Sequence, residues 1–250
     1  MTLTSLPCAN CRDECLSEMF GTYLLVLLGP GSIVVASLLP FLSPTEALFA
    51  VALTFGSTVA SVILLLGGRS GAHINPAVTI ANVVSGIFKR NLFIQYLAFQ
   101  LGGGLLAGLT LKLIFGAVSG SGVALGSTEL SAGATQLEGL ALEVLGTFVL
   151  AFSALSASAF VTGRLKQAAL VGSTLFFLIL LIGPVTGASF NPARSFGPSI
   201  FSGYYSDQII YWIGPTLGAV LAGVAFRSFR PRIGVGGKNV KKNIDIVCVC

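Results

Sequence analysis

Two stretches of the chain decide its fold: GAHINPAVTI at residues 71–80 and GASFNPARSF at residues 187–196. In both, a Gly-Ala pair and two further residues precede Asn-Pro-Ala. Proline is favoured at the first position of a helix, and asparagine is a good cap immediately before it. Each stretch therefore predicts a non-helical loop followed by a helix that begins at Asn-Pro-Ala.

The composition around these stretches is that of a membrane protein. Of the 250 residues, 54% are hydrophobic and only 9% are charged, whereas soluble domains carry about 25% charged residues. Continuous apolar runs of about 18 residues or more are typical of membrane-spanning helices and not of barrel strands, which alternate apolar and polar residues. We predict six spans, at about residues 16–39, 45–66, 91–115, 137–161, 167–183 and 208–227.

Positive residues are distributed unequally between the segments that separate these spans. If the chain crosses six times, Arg12, Arg69, Lys89, Arg90, Arg164, Lys166 and the basic C-terminal segment all lie on one side. Because lysine and arginine accumulate on the cytoplasmic side, both termini are predicted to be cytoplasmic tails, at residues 1–15 and 229–250. This asymmetry accounts for the net charge of +5, and nucleic-acid binding is not expected because no basic domain lies outside the spans.

The two halves of the chain resemble each other. Glu-x-x-Gly-Thr begins at Glu18 and again at Glu143, and the two Asn-Pro-Ala motifs, at Asn75 and Asn191, are 116 residues apart. Three spans in each half is an odd number, so the second repeat enters the membrane from the opposite side. The predicted inverted repeats cover about residues 16–115 and 137–228.

The Asn-Pro-Ala segments are too short to cross the membrane. About ten helical residues rise roughly 15 Å, which is half of a ~30 Å hydrocarbon core. In inverted repeats two such half-helices enter from opposite faces and meet N-terminus to N-terminus near the midplane. The predicted fold is therefore an all-α membrane protein of six transmembrane helices and two half-helices.

With these paired motifs, the sequence resembles the aquaporins, the major intrinsic protein family, over about residues 14–228. The resemblance implies a passive water channel, homotetrameric in the lipid bilayer of the plasma membrane. Positive half-helix ends and asparagine N–H donors would orient each water molecule, interrupt proton transfer and repel cations. The pore motif residues are Asn75, Pro76, Ala77, Asn191, Pro192 and Ala193.

The resemblance also assigns roles to the loops and to two acids inside the spans. Backbone carbonyls would form an acceptor ladder at Gly71, Ala72, His73, Ile74, Gly187, Ala188, Ser189 and Phe190. Glu18 and Glu143 would brace these loops, although a buried acid can also relay protons. His73 is the only histidine, and either packing against its loop or a pH switch is open to it.

A selectivity filter is implied at Phe55, Ile179, Ala188 and Arg194. An arginine inside a span costs about 2.5–3.5 kcal/mol on insertion scales, so Arg194 is expected to be functional. Ile179 and Ala188 suggest a filter wider and less polar than in strict water channels, most like archaeal-type mixed aquaporins. Glycerol facilitators carry an Asp, a basic residue and Pro-Leu where this chain has Ser195, Ser199 and Tyr211-Trp212, which favours water.

Other functional classes are weaker. A facilitator of glycerol, ammonia, hydrogen peroxide or carbon dioxide is the first alternative to a water channel. An ion-coupled secondary transporter is the second, because inverted repeats and broken helices occur there too. The sequence lacks the HExxH and GxSxG motifs of enzymes. No cofactor or metal is predicted, since the cysteines lie in the two tails and a single CxxC is weak evidence for a metal site.

Overall fold

The computed structural model describes residues 11–117 and 124–229. Six of its helices are long and apolar enough to cross a membrane, and two, of 10 and 11 residues, are short. This confirms the predicted fold class. The helices are α1 (Cys11–Ser37), α2 (Pro44–Leu66), α3 (Pro76–Ser85), α4 (Phe93–Phe115), α5 (Gln136–Phe160), α6 (Arg164–Thr186), α7 (Pro192–Ser202) and α8 (Gln208–Phe229).

Two helix boundaries differ from the predicted spans. Helix α1 begins at Cys11, so the charged residues Arg12, Asp13 and Glu14 form its first turn instead of belonging to a tail. Helix α6 continues through Pro184 to Thr186, although Gly-Pro usually marks a helix end. It stops only at Gly187, whose φ of +71° is the left-handed conformation that glycine tolerates best. The tail predictions for residues 1–10 and 230–250 lie outside the described residues.

The two short helices are built alike. The side chains of Asn75 and Asn191 cap α3 and α7 by accepting hydrogen bonds from the backbone N–H groups of Ala77 and Ala193. Both helices end at a glycine with positive φ, +78° at Gly86 and +76° at Gly203. Such caps satisfy the terminal backbone groups that a buried helix cannot leave unpaired.

The long helices pack as two equivalent sets. Helix α1 packs on α4 as α5 packs on α8, and α2 of one repeat crosses α6 of the other. At that crossing a Cβ on Gly56 would lie 2.7 Å from the carbonyl oxygen of Gly172, and one on Gly172 would lie 2.6 Å from that of Gly56. This reciprocal contact marks the pseudo-two-fold axis that relates the two repeats.

Large apolar side chains cover the outside of the bundle. Leu113, Leu181 and Phe177 are 78%, 75% and 64% exposed. Soluble proteins rarely expose large apolar patches of this kind to water. Buried positions, in contrast, include several polar groups that gather around the loops before α3 and α7, among them Glu18, Glu143, Gln100 and Arg194. The polar interior therefore lies where the two short helices meet.

Candidate functional site

A cavity runs along the loops that precede α3 and α7. Its wall includes both capping asparagines, Asn75 and Asn191, and the loop residues Gly71, Ala72, His73, Ile74, Ala188 and Ser189. Phe55 and Arg194 also border it. Apolar side chains of the long helices also line it, among them Leu25, Val59, Ile63, Leu150, Val171 and Leu175.

The N-termini of the two short helices are joined by reciprocal hydrogen bonds. The Nδ2 group of Asn75 donates to the carbonyl of Phe190 at 2.8 Å, and that of Asn191 donates to the carbonyl of Ile74 at 3.0 Å. Each side-chain oxygen meanwhile caps its own helix. Because an amide nitrogen carries two hydrogens, each asparagine keeps a second N–H to offer to the cavity that it borders.

The loops before the asparagines adopt a backbone conformation that most residues avoid. Ala72, Ile74, Ala188 and Phe190 have φ values of +49°, +46°, +47° and +52°. The left-handed region costs roughly 1–2 kcal/mol for a residue with a Cβ, and a β-branched residue such as isoleucine is a genuine outlier there. Other contacts must therefore hold these loops in place.

Two buried carboxylates make those contacts. Glu18 accepts hydrogen bonds from the backbone N–H of His73 at 3.0 Å and of Ile74 at 2.6 Å. Glu143 accepts them from Ser189 at 2.9 Å and Phe190 at 2.8 Å. Each acid thus binds two consecutive amides directly before an asparagine. The carboxylate oxygens are also held by side chains, Gln100 on Glu18 and Thr186 on Glu143.

Sequence reasoning missed a further layer of side chains that support the loops. Tyr96 donates its hydroxyl hydrogen to the carbonyl of Ser70 at 2.9 Å, and Tyr211 donates to that of Thr186 at 2.8 Å. The two tyrosines are 115 residues apart, the same offset that relates GGLLAG at residues 103–108 to GAVLAG at residues 218–223. Extending the repeat comparison to polar residues would have found this pair.

Arg194 and Phe55 lie next to each other at the cavity wall, where the sequence predicts a narrow filter. Arg194 is 1% exposed, and its guanidinium carbon lies 5.3 Å from the centre of the Phe55 ring. Its Nη1 group donates to the carbonyl of Gly126 at 2.8 Å. Its Nε group is buried and has no hydrogen-bond partner within residues 11–117 and 124–229. The arrangement places a buried positive charge, whose Nε donor is unpaired, at the cavity wall.

The other two expected filter residues are placed differently from each other. Ala188 borders the cavity. Ile179 is buried in the main apolar core and is not among the residues that line the cavity, where α6 contributes Val171 and Leu175 instead. The structure therefore places Phe55, Ala188 and Arg194 at one cavity. Ile179 shares an apolar cluster with Phe55 and Ala188, and its role in the filter stays a prediction.

Residues 124–128 supply groups that no sequence motif indicates. Gly126 provides the carbonyl that binds Arg194. Thr128 donates its hydroxyl hydrogen to the Oγ of Ser195 at 2.8 Å, and Ser195 in turn contacts the hydroxyl of Ser189. Ser195 is completely buried. Its hydroxyl therefore ties two loops together behind the cavity wall.

His73 is packed among aromatic rings at the other end of the cavity. Its ring centre lies 5.0 Å from that of Phe88 and 5.5 Å from that of Tyr96. Its Nδ1 atom is 3.2 Å from the hydroxyl of Thr79. These contacts fix the ring against the loop that contains it.

The chain is similar to known proteins both in sequence and in structure. The family model described as Major intrinsic protein matches residues 6–226. Aquaporin NIP1-1 of Zea mays is 36% identical over 225 residues, 87% of this chain and 75% of that protein. Aquaporin TIP4-4 of Zea mays is 35% identical, covering 87% of this chain and 86% of that protein.

A solved structure shares the fold. The aquaglyceroporin from Plasmodium falciparum superposes with a TM-score of 0.76 at 23% identity, covering 90% of this chain and 97% of that one. At this identity the likeness concerns the arrangement of helices and not the solute.

Proposed function

We propose a function from one established premise: the chain belongs to the major intrinsic protein family, whose members are membrane channels and not enzymes. Within that family, we infer that it is a passive channel for water that excludes protons and ions and also admits small neutral solutes.

The observation that carries this proposal is the position of Arg194. Its charge is buried at the cavity wall beside Phe55, and its Nη1 group donates to the carbonyl of Gly126. A cation in the same passage would meet this charge at low dielectric, where repulsion is strong. Water and neutral molecules carry no net charge and avoid this barrier.

The half-helices add to the same effect. The N-termini of α3 and α7 meet through Asn75 and Asn191, and each helix end carries roughly half a positive charge. The remaining N–H of each asparagine would make a passing water molecule an acceptor, so that its own hydrogens point outward. This orientation interrupts the chain of hydrogen bonds that proton transfer requires.

The apolar wall favours small neutral solutes as a second class of permeant. Part of the wall consists of the apolar side chains of Leu25, Val59, Leu150 and Leu175, which form no hydrogen bonds with a permeating molecule. A wall of this kind admits molecules such as glycerol, ammonia, hydrogen peroxide or carbon dioxide, with size as the main barrier. Ala188, which is small, leaves room beside Arg194.

The two intramembrane acids support a channel over an ion-coupled transporter. Coupling needs a site whose protonation or ion occupancy changes during the cycle. Glu18 and Glu143 are instead held by consecutive backbone amides of strained loops. We assign them the role of pore-loop support.

The topology supports the placement of the protein in its membrane. Six crossings bring the beginning of α1 and the end of α8 to the same side, and the positive residues on that side favour the cytoplasm. The exposed apolar side chains suit contact with lipid and with neighbouring copies in a homotetramer in the plasma membrane.

Stopped-flow light scattering on proteoliposomes tests the proposal, with water and glycerol gradients in one preparation and a trapped pH-sensitive dye for protons. We expect fast water flux without proton flux. Arg194→Val should raise glycerol and proton flux about tenfold, equivalent to ~1.4 kcal/mol of barrier. Arg69→Val, at an exposed arginine, is the matched control and should change neither flux.

The wild-type fluxes decide between the two permeant classes. Fast water flux with glycerol at background would mean that the channel is selective for water. Comparable fluxes would identify a mixed-solute channel. Absence of both fluxes, in wild type and in Arg194→Val, would contradict an open pore.

A further inference from the structure

We propose that Gly29 of α1 is a specificity-determining residue of this channel, because it sets how far the Phe55 ring reaches into the constriction. The inference rests on the proposed function, since it concerns the gap between Phe55 and Arg194. Gly29 is buried and does not line the cavity. It is therefore a positioning residue that acts through Phe55.

The Phe55 ring occupies the space where a side chain at position 29 would stand. A Cβ on Gly29 would lie within 2.7 Å of three ring carbons of Phe55, namely Cε1, Cζ and Cδ1. Carbon atoms in good contact are about 3.5–4.0 Å apart. With any other residue at position 29, the ring would have to move away from α1 by roughly 1 Å.

The direction of this movement matters for permeation. Phe55 has Gly29 on one side, the cavity on another, and Arg194 at 5.3 Å from its ring centre. The cavity is the open space next to the ring, so we expect a ring displaced from α1 to move into it. The aromatic side chain is rigid, so it cannot absorb the shift by bending, as the end of a long aliphatic side chain would.

Pro30, which follows Gly29 in α1, packs against Gly126 on the Arg194 side of the site. A Cβ on Gly126 would meet the carbonyl oxygen of Pro30 and lie 2.8 Å from its Cα, and Gly126 has a φ of +70°. Glycine is thus needed at position 126 for both space and conformation. Since the Gly126 carbonyl binds Arg194, the Gly29-Pro30 dipeptide supports both sides of the constriction.

The internal repeat provides an independent comparison. Glu18 and Glu143 are 125 residues apart, and the same offset makes Ala154 the equivalent of Gly29 in the second repeat. Gly56 and Gly172 are 116 residues apart, and that offset makes Val171 the equivalent of Phe55. Ala154 and Val171 both line the cavity in the second repeat. Where the first repeat has a large ring and a glycine, the second has a smaller valine and a larger alanine, a combination that close packing favours.

The test is Gly29→Ala, with Gly31→Ala as the matched control two residues further along the same helix. A Cβ at Gly31 would meet only the flexible end of Leu111, at 3.3 Å. Water and glycerol permeability are measured per channel in proteoliposomes. We expect Gly29→Ala to lower glycerol permeability about fivefold more than water permeability, equivalent to ~1 kcal/mol, and Gly31→Ala to leave the ratio unchanged. If glycerol flux is at background in wild type, the same fivefold loss is expected in water flux.

The double variant Gly29→Ala/Phe55→Leu shows whether the effect passes through Phe55. In the Phe55→Leu background, Gly29→Ala should have no further effect on the permeability ratio. An equal effect in both backgrounds, or an unchanged ratio in a folded Gly29→Ala variant, would overturn the inference. If Gly29→Ala alone fails to fold, recovery of folding in the double variant supports the contact, and failure of both variants overturns it. A wild type without flux would instead refute the proposed function, which keeps the two outcomes distinct.

Discussion

Glu18 and Glu143 are equivalent residues of the two repeats, and each holds a strained pore loop through two consecutive backbone amides. Glu18 binds the amides of His73 and Ile74, and Glu143 binds those of Ser189 and Phe190. In each pair the second amide belongs to a residue with left-handed φ. The energetic cost of the loop conformation is thus offset by charge-assisted hydrogen bonds, which are about twice as strong as neutral ones.

Replacement of either acid by glutamine is predicted to destabilise the protein and reduce water flux. Glutamine offers one acceptor oxygen and places an NH2 group against a backbone N–H, so at least one buried donor loses its partner. Such a loss costs about 1–3 kcal/mol. Thermal unfolding in detergent measures the stability, and stopped-flow scattering measures the flux. Glu138→Gln, at an exposed helix cap, is the control. If Glu18→Gln and Glu143→Gln both unfold at the wild-type temperature, the two carboxylates do not stabilise the loops.

Mercury is predicted to block the Ala188→Cys variant but not the native channel. Ala188 borders the cavity next to the constriction, so a mercury adduct there would obstruct permeation. Among the described residues, the free cysteine is Cys15, which is buried and does not line the cavity. We expect water flux of Ala188→Cys to fall about tenfold with mercuric chloride, equivalent to ~1.4 kcal/mol, and to recover with excess thiol.

The control for this experiment is a cysteine outside the pore. Ala98 is exposed on α4 and does not line the cavity, so Ala98→Cys should react with mercury without loss of flux. Equal sensitivity of Ala188→Cys and the native protein would mean that position 188 does not face the permeating water.

Two adjacent glycines of α4 are predicted to respond to alanine in opposite directions. A Cβ on Gly103 would meet the backbone carbonyl of Met19 and lie 3.1 Å from the amide nitrogen of Tyr23, whereas one on Gly102 would meet no atom within 4 Å. Gly103→Ala should therefore cost about 1–3 kcal/mol by forcing α1 and α4 apart. Gly102→Ala should gain about 0.5–1 kcal/mol, because alanine favours the helix. The unfolding midpoints of the two variants check this prediction, and a shift of both in the same direction would contradict it.

The motifs of the sequence predicted the fold because each one fixes local structure. Asn-Pro-Ala at Asn75 and Asn191 favours the start of a helix, and the continuous apolar runs are long enough to span a membrane. The repeat then determined that the two half-helices face each other. Two helix boundaries differ from the prediction, because polar residues such as Asp13 and a proline such as Pro184 are helical in this structure.

The surroundings of Arg194 were predicted only in part, because one of its partners is a backbone group far away in the sequence. The carbonyl of Gly126 binds Arg194 across 68 residues of sequence, and carbonyl groups leave no trace in side-chain patterns. Ile179 was expected in the filter by counting residues back from Asn191. Ile179 lies on the same helix as the cavity-lining residues Val171 and Leu175 and belongs to the apolar cluster of Phe55 and Ala188, so its place in the filter stays a prediction.

The hydrogen bonds between the two asparagines and the opposite loops also constrain the order of biosynthesis. The hydrogen bond from Asn75 to the carbonyl of Phe190 cannot form until Phe190, 115 residues further along the chain, has been synthesised. At about 5–20 residues per second, a ribosome needs roughly 6–23 s for these residues. During this interval the first three spans stand in the membrane with a half-helix whose partner has not been made. The newly inserted half of the protein is therefore incomplete until α7 arrives, and no conducting path exists in any shorter nascent chain. A translational pause between the repeats would prolong this vulnerable state, whereas a pause after α8 would not.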